Sequence, residues 1–174
     1  MTRPLPRAVR LYVRYVDAVS HAVGRVVMYL IVVMIGLLLY TALARTLFQM
    51  PLAWGVEMAQ FLLAAYYLLG GGYSMQLDAH VRMDLLYSRW TPRRQAFTDS
   101  LTAFCLVGYL TVLLIGGISS TKYAIDYGQK NYSAWAPPLA PIKVIMTAGV
   151  LLMLLQAVSI FFKDLARVRG ENLA

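Results

Sequence analysis

Four ionisable side chains of three types stand within seven residues in the run Asp78-Ala-His80-Val-Arg82-Met-Asp84. Two carboxylates, an imidazole and a guanidinium so close together are the types that acid–base work, a metal site or an ion-pair network would use. The spacing supports ion pairing, because Arg82 can reach either Asp78 or Asp84. A metal site needs more ligands than this. His80 and His21 are the only histidines, and no cysteine or second histidine stands near His80. His80 therefore reads as a hydrogen-bonding residue in a turn. The single cysteine, Cys105, has no intrachain partner and lies within an apolar run, where a buried, inert thiol is expected. The chain carries no HExxH, no nucleophile elbow and no phosphate-binding glycine loop. These residues point away from an enzyme, with no catalytic, substrate-binding or metal residues and no cofactor expected.

What must position this charged run is apolar. Of 174 residues, 60% are hydrophobic and 14% charged, against roughly 45–50% and about 25% in soluble domains. A soluble protein of this length could not hide so much apolar surface. The net charge of +8 would suit nucleic acid if it lay on one face of a soluble fold. Instead the basic residues fall between hydrophobic runs, where they set membrane topology. No cleavable signal peptide is expected, because the first twenty-five residues hold five arginines and no continuous apolar core.

The expected architecture is an all-α integral membrane protein, one membrane domain over 1–174. Residues 7–25 form an amphipathic helix: Arg7, Arg10, Arg14, Asp17, His21 and Arg25 recur at steps of three or four, with Leu11, Tyr12, Tyr15, Val19, Ala22 and Val23 largely opposite. A basic, aromatic-containing helix of this kind lies in the membrane interface; packing on a partner in the cytosol is the competing reading. Transmembrane helices are expected over 26–44, 58–77, 100–121 and 144–162. Twenty residues at ~1.5 Å each match the hydrocarbon thickness of a bilayer. Trp54 suits the membrane–water boundary. Glu57 complements the positive end of the second transmembrane helix. Gly70, Gly71 and Gly72 are costly in a helix interior unless another helix packs on the bare backbone; a kink is the alternative. Pro92 starts the next helix behind a Thr91 cap. Gln156 is the strongly polar side chain of the last one.

The positive-inside rule orients the chain. Arg3, Arg7, Arg10, Arg14 and Arg25, Arg82, Arg89, Arg93 and Arg94, and Lys163, Arg167 and Arg169 fall on one side of the four helices. Only Arg45, Lys122, Lys130 and Lys143 fall on the other. Both termini and the Asp78–Arg94 turn are thus expected in the cytoplasm. The connector with Tyr132, Trp135, Pro137 and Pro138 faces outward. It reads either as an aromatic belt at the lipid boundary or as a docking surface that Lys122, Lys130 and Lys143 leave locally positive against Asp126. Lys130, Tyr132 and Trp135 are the candidate docking residues. None of the expected transmembrane helices contains Asp, Glu, Lys, Arg or His, so a self-sufficient pump or a small multidrug-type exporter is not expected.

In its ordered features the chain resembles the small (Q-type) membrane subunit of TRAP transporters, the tripartite ATP-independent periplasmic solute importers. The resemblance rests on the amphipathic start, the four spans, the Trp54/Glu57 start to the second, Gly70 to Gly72 late in it, and the His80-Val-Arg82-Met-Asp84 turn followed by Leu85-Leu-Tyr87. It implies a heterodimeric, inner-membrane symporter of bacteria or archaea. There a periplasmic binding protein captures an organic acid and docks on the membrane pair. The large permease subunit holds the solute and sodium sites. The small subunit braces the large one and helps dock the binding protein; Trp54, Glu57, Gly70, Gly71, Gly72, His80, Arg82 and Asp84 are the candidate subunit-contact or structural residues. The alternative from another class is a non-catalytic anchor or assembly subunit of a different inner-membrane complex.

The charge count makes a direct prediction about sidedness. In a Cys105→Ala background, Ser133→Cys should label with a membrane-impermeant thiol reagent in whole cells and Ser88→Cys should not. The reverse pattern would contradict the orientation.

Overall fold

The structure is a computed structural model that describes residues 7–49, 52–77 and 92–168. Five α-helices account for nearly all of them: α1 Arg7–Met28, α2 Leu30–Phe48, α3 Ala53–Gln76, α4 Pro92–Asp126 and α5 Ala140–Val168. Among the described residues, three helical segments are long and apolar enough to cross a membrane: the combined α1–α2, Thr102–Asp126 of α4 and Ala140–Lys163 of α5. α3 is 24 residues long, about 36 Å at 1.5 Å per residue. Its polar Glu57 and Gln60, three tyrosines and glycine run keep it below the hydropathy of the other three. The Asp78–Asp84 run, including His80, Arg82 and Asp84, lies outside the described residues, as does the Thr91 cap.

α1 and α2 are separated only at Tyr29. Its N–H reaches back three residues to the Val26 carbonyl (3.1 Å), a one-residue tightening of the helix rather than a loop. Gln49 ends α2 in the left-handed region (φ 54°), its N–H closing on the Ala44 carbonyl. α4 opens on Pro92 at its first position, where the missing N–H costs nothing.

The helices are ordered by side-to-side contact. α5 is the axis, with α3 and α4 packed along it and α1 against it. α3 and α5 run parallel: Gly149 seats on Leu68, Gly71 faces Met153, Gly72 faces Leu152, and Met75 and Ala157 share a core cluster with Leu110 of α4. α4 runs antiparallel to α5, tied by the Thr121 and Thr147 hydroxyls at 2.9 Å and by Thr121 Oγ1 donating to the Lys143 carbonyl. α2 runs antiparallel along the other side of α3, with Thr41 filling the space over Gly55 and Val27, just before it, over Gly70. The order across the layer is therefore α2, α3, α5, α4.

The path of α1 is different. Tyr12 meets Leu155 and Phe162, Asp17 meets Gln156, Ser159 and Lys163, and Ser20 meets Gln156. Over eight residues of α1 the partners on α5 do not advance. The same holds on α3, where Ser20, Gly24 and Val27 all meet Gly70–Tyr73. α1 thus crosses the ends of α5 and α3 rather than running along them. Its contact face is Val13, Val16, Ser20, Gly24 and Val27, all buried. Asp17 leaves the arginine stripe on which its spacing placed it and turns toward α5.

Two glycines report opposite environments. A Cβ at Gly149 would stand 2.8 Å from the Leu68 carbonyl carbon, whereas one at Gly116 would meet nothing within 4 Å. Gly149→Ala should lower the stability of the purified subunit by about 1–3 kcal/mol, since backbone cannot yield as a side chain can. Gly116→Ala should leave it unchanged or raise it by up to ~1 kcal/mol. Thermal unfolding in one detergent checks both, and equal shifts would contradict the packing.

Candidate functional site

Polar side chains in the described residues concentrate at two places, one at each end of α5. At the Lys163 end, a network joins α1 to α5. Gln156 is 0% exposed. Its Oε1 accepts from Ser20 Oγ at 2.8 Å and its Nε2 donates to Asp17 Oδ1 at 2.9 Å. Ser159, equally buried, donates to the same Asp17 oxygen at 3.4 Å. The other Asp17 oxygen pairs with Lys163, both side chains being about one-fifth exposed, at 22% and 23%. Tyr12 donates to the Leu155 carbonyl at 3.1 Å and sets its ring edge-on to Phe162. An unpaired buried amide costs several kcal/mol in an apolar medium (about 4–8 by transfer to hydrocarbon). Here both ends of the amide and both oxygens of the carboxylate have partners.

None of these residues was singled out as a site from the sequence. A signal was present: Gln156, Ser159 and Lys163 stand at steps of three and four, on one face of α5. What the sequence could not supply was the partner, which lies 139 residues away from Gln156.

At the other end, residues 127–139 form a pinned hairpin. Gly128 (φ +55°) ends α4 in a Schellman arrangement, with Gln129 N–H bonded to the Ala124 carbonyl and Gly128 N–H to Ile125. Lys130 then pairs antiparallel with Pro138, and Asn131 N–H and Leu139 N–H bond to the Pro137 and Gln129 carbonyls. Ser133 closes the tip onto Ala136 N–H, which holds Ala136 at φ 46°. Tyr132 is fully exposed, and Trp135 is 40% exposed. A polar hollow of about 420 Å³ lies under Tyr132, lined also by Tyr123, Tyr127 and Lys130.

The structure brings Glu57 to this hairpin: Asn131 Nδ2 stands 3.4 Å from Glu57 Oε2. Trp54 instead packs on Tyr40 of α2, ring centroids 6.5 Å apart. Lys143 is spent internally, donating to Gln129 Oε1 at 2.7 Å, so Lys122 and Lys130 carry the exposed positive charge near the hairpin. Gly70, Gly71 and Gly72 face Val27, Met153, and Leu152 with Ser20, respectively, all within this chain. Cys105 is exposed on α4, not buried as its apolar setting suggested. Among the described residues, no group of three or more His, Cys, Asp or Glu gathers to hold a metal ion.

This is a multi-pass helical membrane protein whose polar groups hold helices and a loop in place. The family model for tripartite ATP-independent periplasmic transporters, DctQ component, matches residues 34–167, and the chain belongs to that family. It is a small permease component of a TRAP transporter, a transport protein of the inner membrane rather than a member of an enzyme family. No curated protein and no solved structure shows a match.

The network predicts strong coupling. Asp17→Ala strands Lys163, the Gln156 amide and the Ser159 hydroxyl, and should cost about 1–3 kcal/mol. In a double-mutant cycle with Gln156→Ala, a coupling of at least ~0.5 kcal/mol is expected. Strict additivity in thermal or denaturant unfolding would contradict the network.

Proposed function

We propose that this subunit crosses the membrane four times with both termini in the cytoplasm, braces a large permease subunit, and presents the 127–139 hairpin to a periplasmic binding protein. The imported solute is an organic acid and the coupling ion is sodium; both rest on the family alone. The fourth crossing is α3. It lies between α2 and α5, antiparallel to one and parallel to the other, so a bilayer that contains its neighbours contains it. Residues 7–25 lie in the cytoplasmic interface, across the ends of α3 and α5.

The observation that carries the bracing role is the single-layer order α2, α3, α5, α4. A layer one helix thick leaves apolar side chains open on its faces: Ile35, Leu39 and Leu43 on α2, and Phe104, Val112 and Ile115 on α4 are all more than 40% exposed. Lipid covers some of this surface and a partner's helices the rest. The docking role is supported by the hairpin. Its ordering cost is already met by internal hydrogen bonds and prolines, and it displays Tyr132 and Trp135, residue types enriched at energetic hot spots. Glu57, held against Asn131, supports the hairpin from α3.

The docking reading is tested by uptake into liposomes that contain the membrane complex, over a titration of binding protein. Trp135→Ala should leave complex recovery intact and shift the half-maximal binding-protein concentration upward by about fivefold or more, the effect of losing a contact worth more than 1 kcal/mol. A titration curve that overlays wild type would remove Trp135 from the docking surface.

A further inference from the structure

α1 has three faces, and the packing accounts for only one. Val13, Val16, Ser20, Gly24 and Val27 are buried against α3 and α5. At about 100° per residue, Arg7, Arg14, His21 and Arg25 fall on a second stripe. Leu11, Tyr15, Val19 and Val26 fall on a third. The third stripe is apolar and open, with Leu11 68%, Tyr15 72% and Val26 69% exposed. Asp17, the only acidic residue of the helix, is committed to Lys163, so α1 offers no further carboxylate to Arg7, Arg14 or Arg25. Arg25 keeps His21 close, at 3.3 Å. The helix crosses α5 between Leu155 and Lys163, where the apolar stretch of α5 ends. It also lies ahead of the stretch 34–167 that the family model matches.

We propose that α1 is a binding surface for anionic phospholipids in the leaflet at the Lys163 end. Leu11, Tyr15 and Val19 enter the acyl layer beside the bundle. Arg7 and Arg14 face the headgroups, where a guanidinium fork matches phosphate oxygens. The two chemistries sit about 90–100° apart around one helix, the arrangement an interface demands once the bundle occupies the remaining side. The occupant is a lipid rather than an acidic protein, because the apolar stripe adjoins the basic one along the whole crossing. The proposal rests on the interfacial placement of α1, and the test separates the two.

The test uses the full chain with Cys105→Ala and Leu11→Cys carrying a spin label, in vesicles of phosphatidylcholine alone or mixed with phosphatidylglycerol. Lipid preference is read by native mass spectrometry of protein drawn from the mixed vesicles. Phosphatidylglycerol should be retained over phosphatidylcholine. Arg7→Gln and Arg14→Gln should each reduce that preference about fivefold, more weakly at high salt. Lys122→Gln, at the far end of α4, should not change it. Equal retention of both lipids with the label still in the acyl layer would overturn the lipid site while leaving the interfacial helix standing. A label exposed to water in both vesicle types would overturn both. Both arginines lie on the exposed side of α1, away from the Asp17 network, so loss of folding does not confuse the result.

Discussion

Gln156 sits where an amide is most expensive, fully buried in the largely apolar stretch of α5. It is tolerable there only because Ser20 and Asp17 of α1 take both of its ends. That requirement fixes the rest of the lower structure. α1 must lie with its Ser20 face on α5, which brings Asp17 to Lys163 and Ser159 and Tyr12 to Leu155. It also sets Ser20 against Gly72 and Gly24 against Tyr73, so the same contact locates α3. Hydrophobic packing alone would not do this. Apolar helices in lipid slide at little cost, whereas a buried amide has one satisfied position.

The consequence for function is stiffness in a thin object. A single layer of helices has little core, and in the described residues only a few large side chains are fully buried. Close backbone approach at Gly149, the Met153 side chain seated over Gly71, the threonine pair between α4 and α5, and the polar network at the Lys163 end supply what a thick core would otherwise provide. The hairpin at the opposite end is held just as firmly by its own backbone. A subunit built this way suits holding a larger, moving partner in register, and its outward apolar faces are what such a partner or lipid would cover.

Much of this was legible in the sequence because hydrophobic runs and charge boundaries are one-dimensional signals. The helices α2, α4 and α5 and the amphipathic character of residues 7–25 follow from them directly. The glycines at 70–72 announced close packing but not its direction, since three successive residues point to three different neighbours. Asp17 was misplaced for a plain reason. Its spacing put it on the arginine stripe, and only a tertiary partner could turn it inward. Lys143 adds to the charge near the hairpin in the sequence, but Gln129 holds its ammonium in the fold. Cys105 looked buried because an apolar run usually is, but α4 packs chiefly on α5 and leaves that side open. The hairpin's left-handed Ala136 had no sequence signal at all, because alanine does not favour that backbone.

The packing at the Lys163 end depends on α1 being locked across the ends of α3 and α5. Ser20→Cys with Gly72→Cys, in a Cys105→Ala background, tests it most directly: a Cβ at Gly72 would lie 3.7 Å from Ser20 Oγ. In native membranes under mild oxidation this pair should form a disulfide readily, and Ser20→Cys alone should resist a soluble thiol reagent. Free labelling of Ser20→Cys with no cross-link to Gly72→Cys would show that α1 is not seated there.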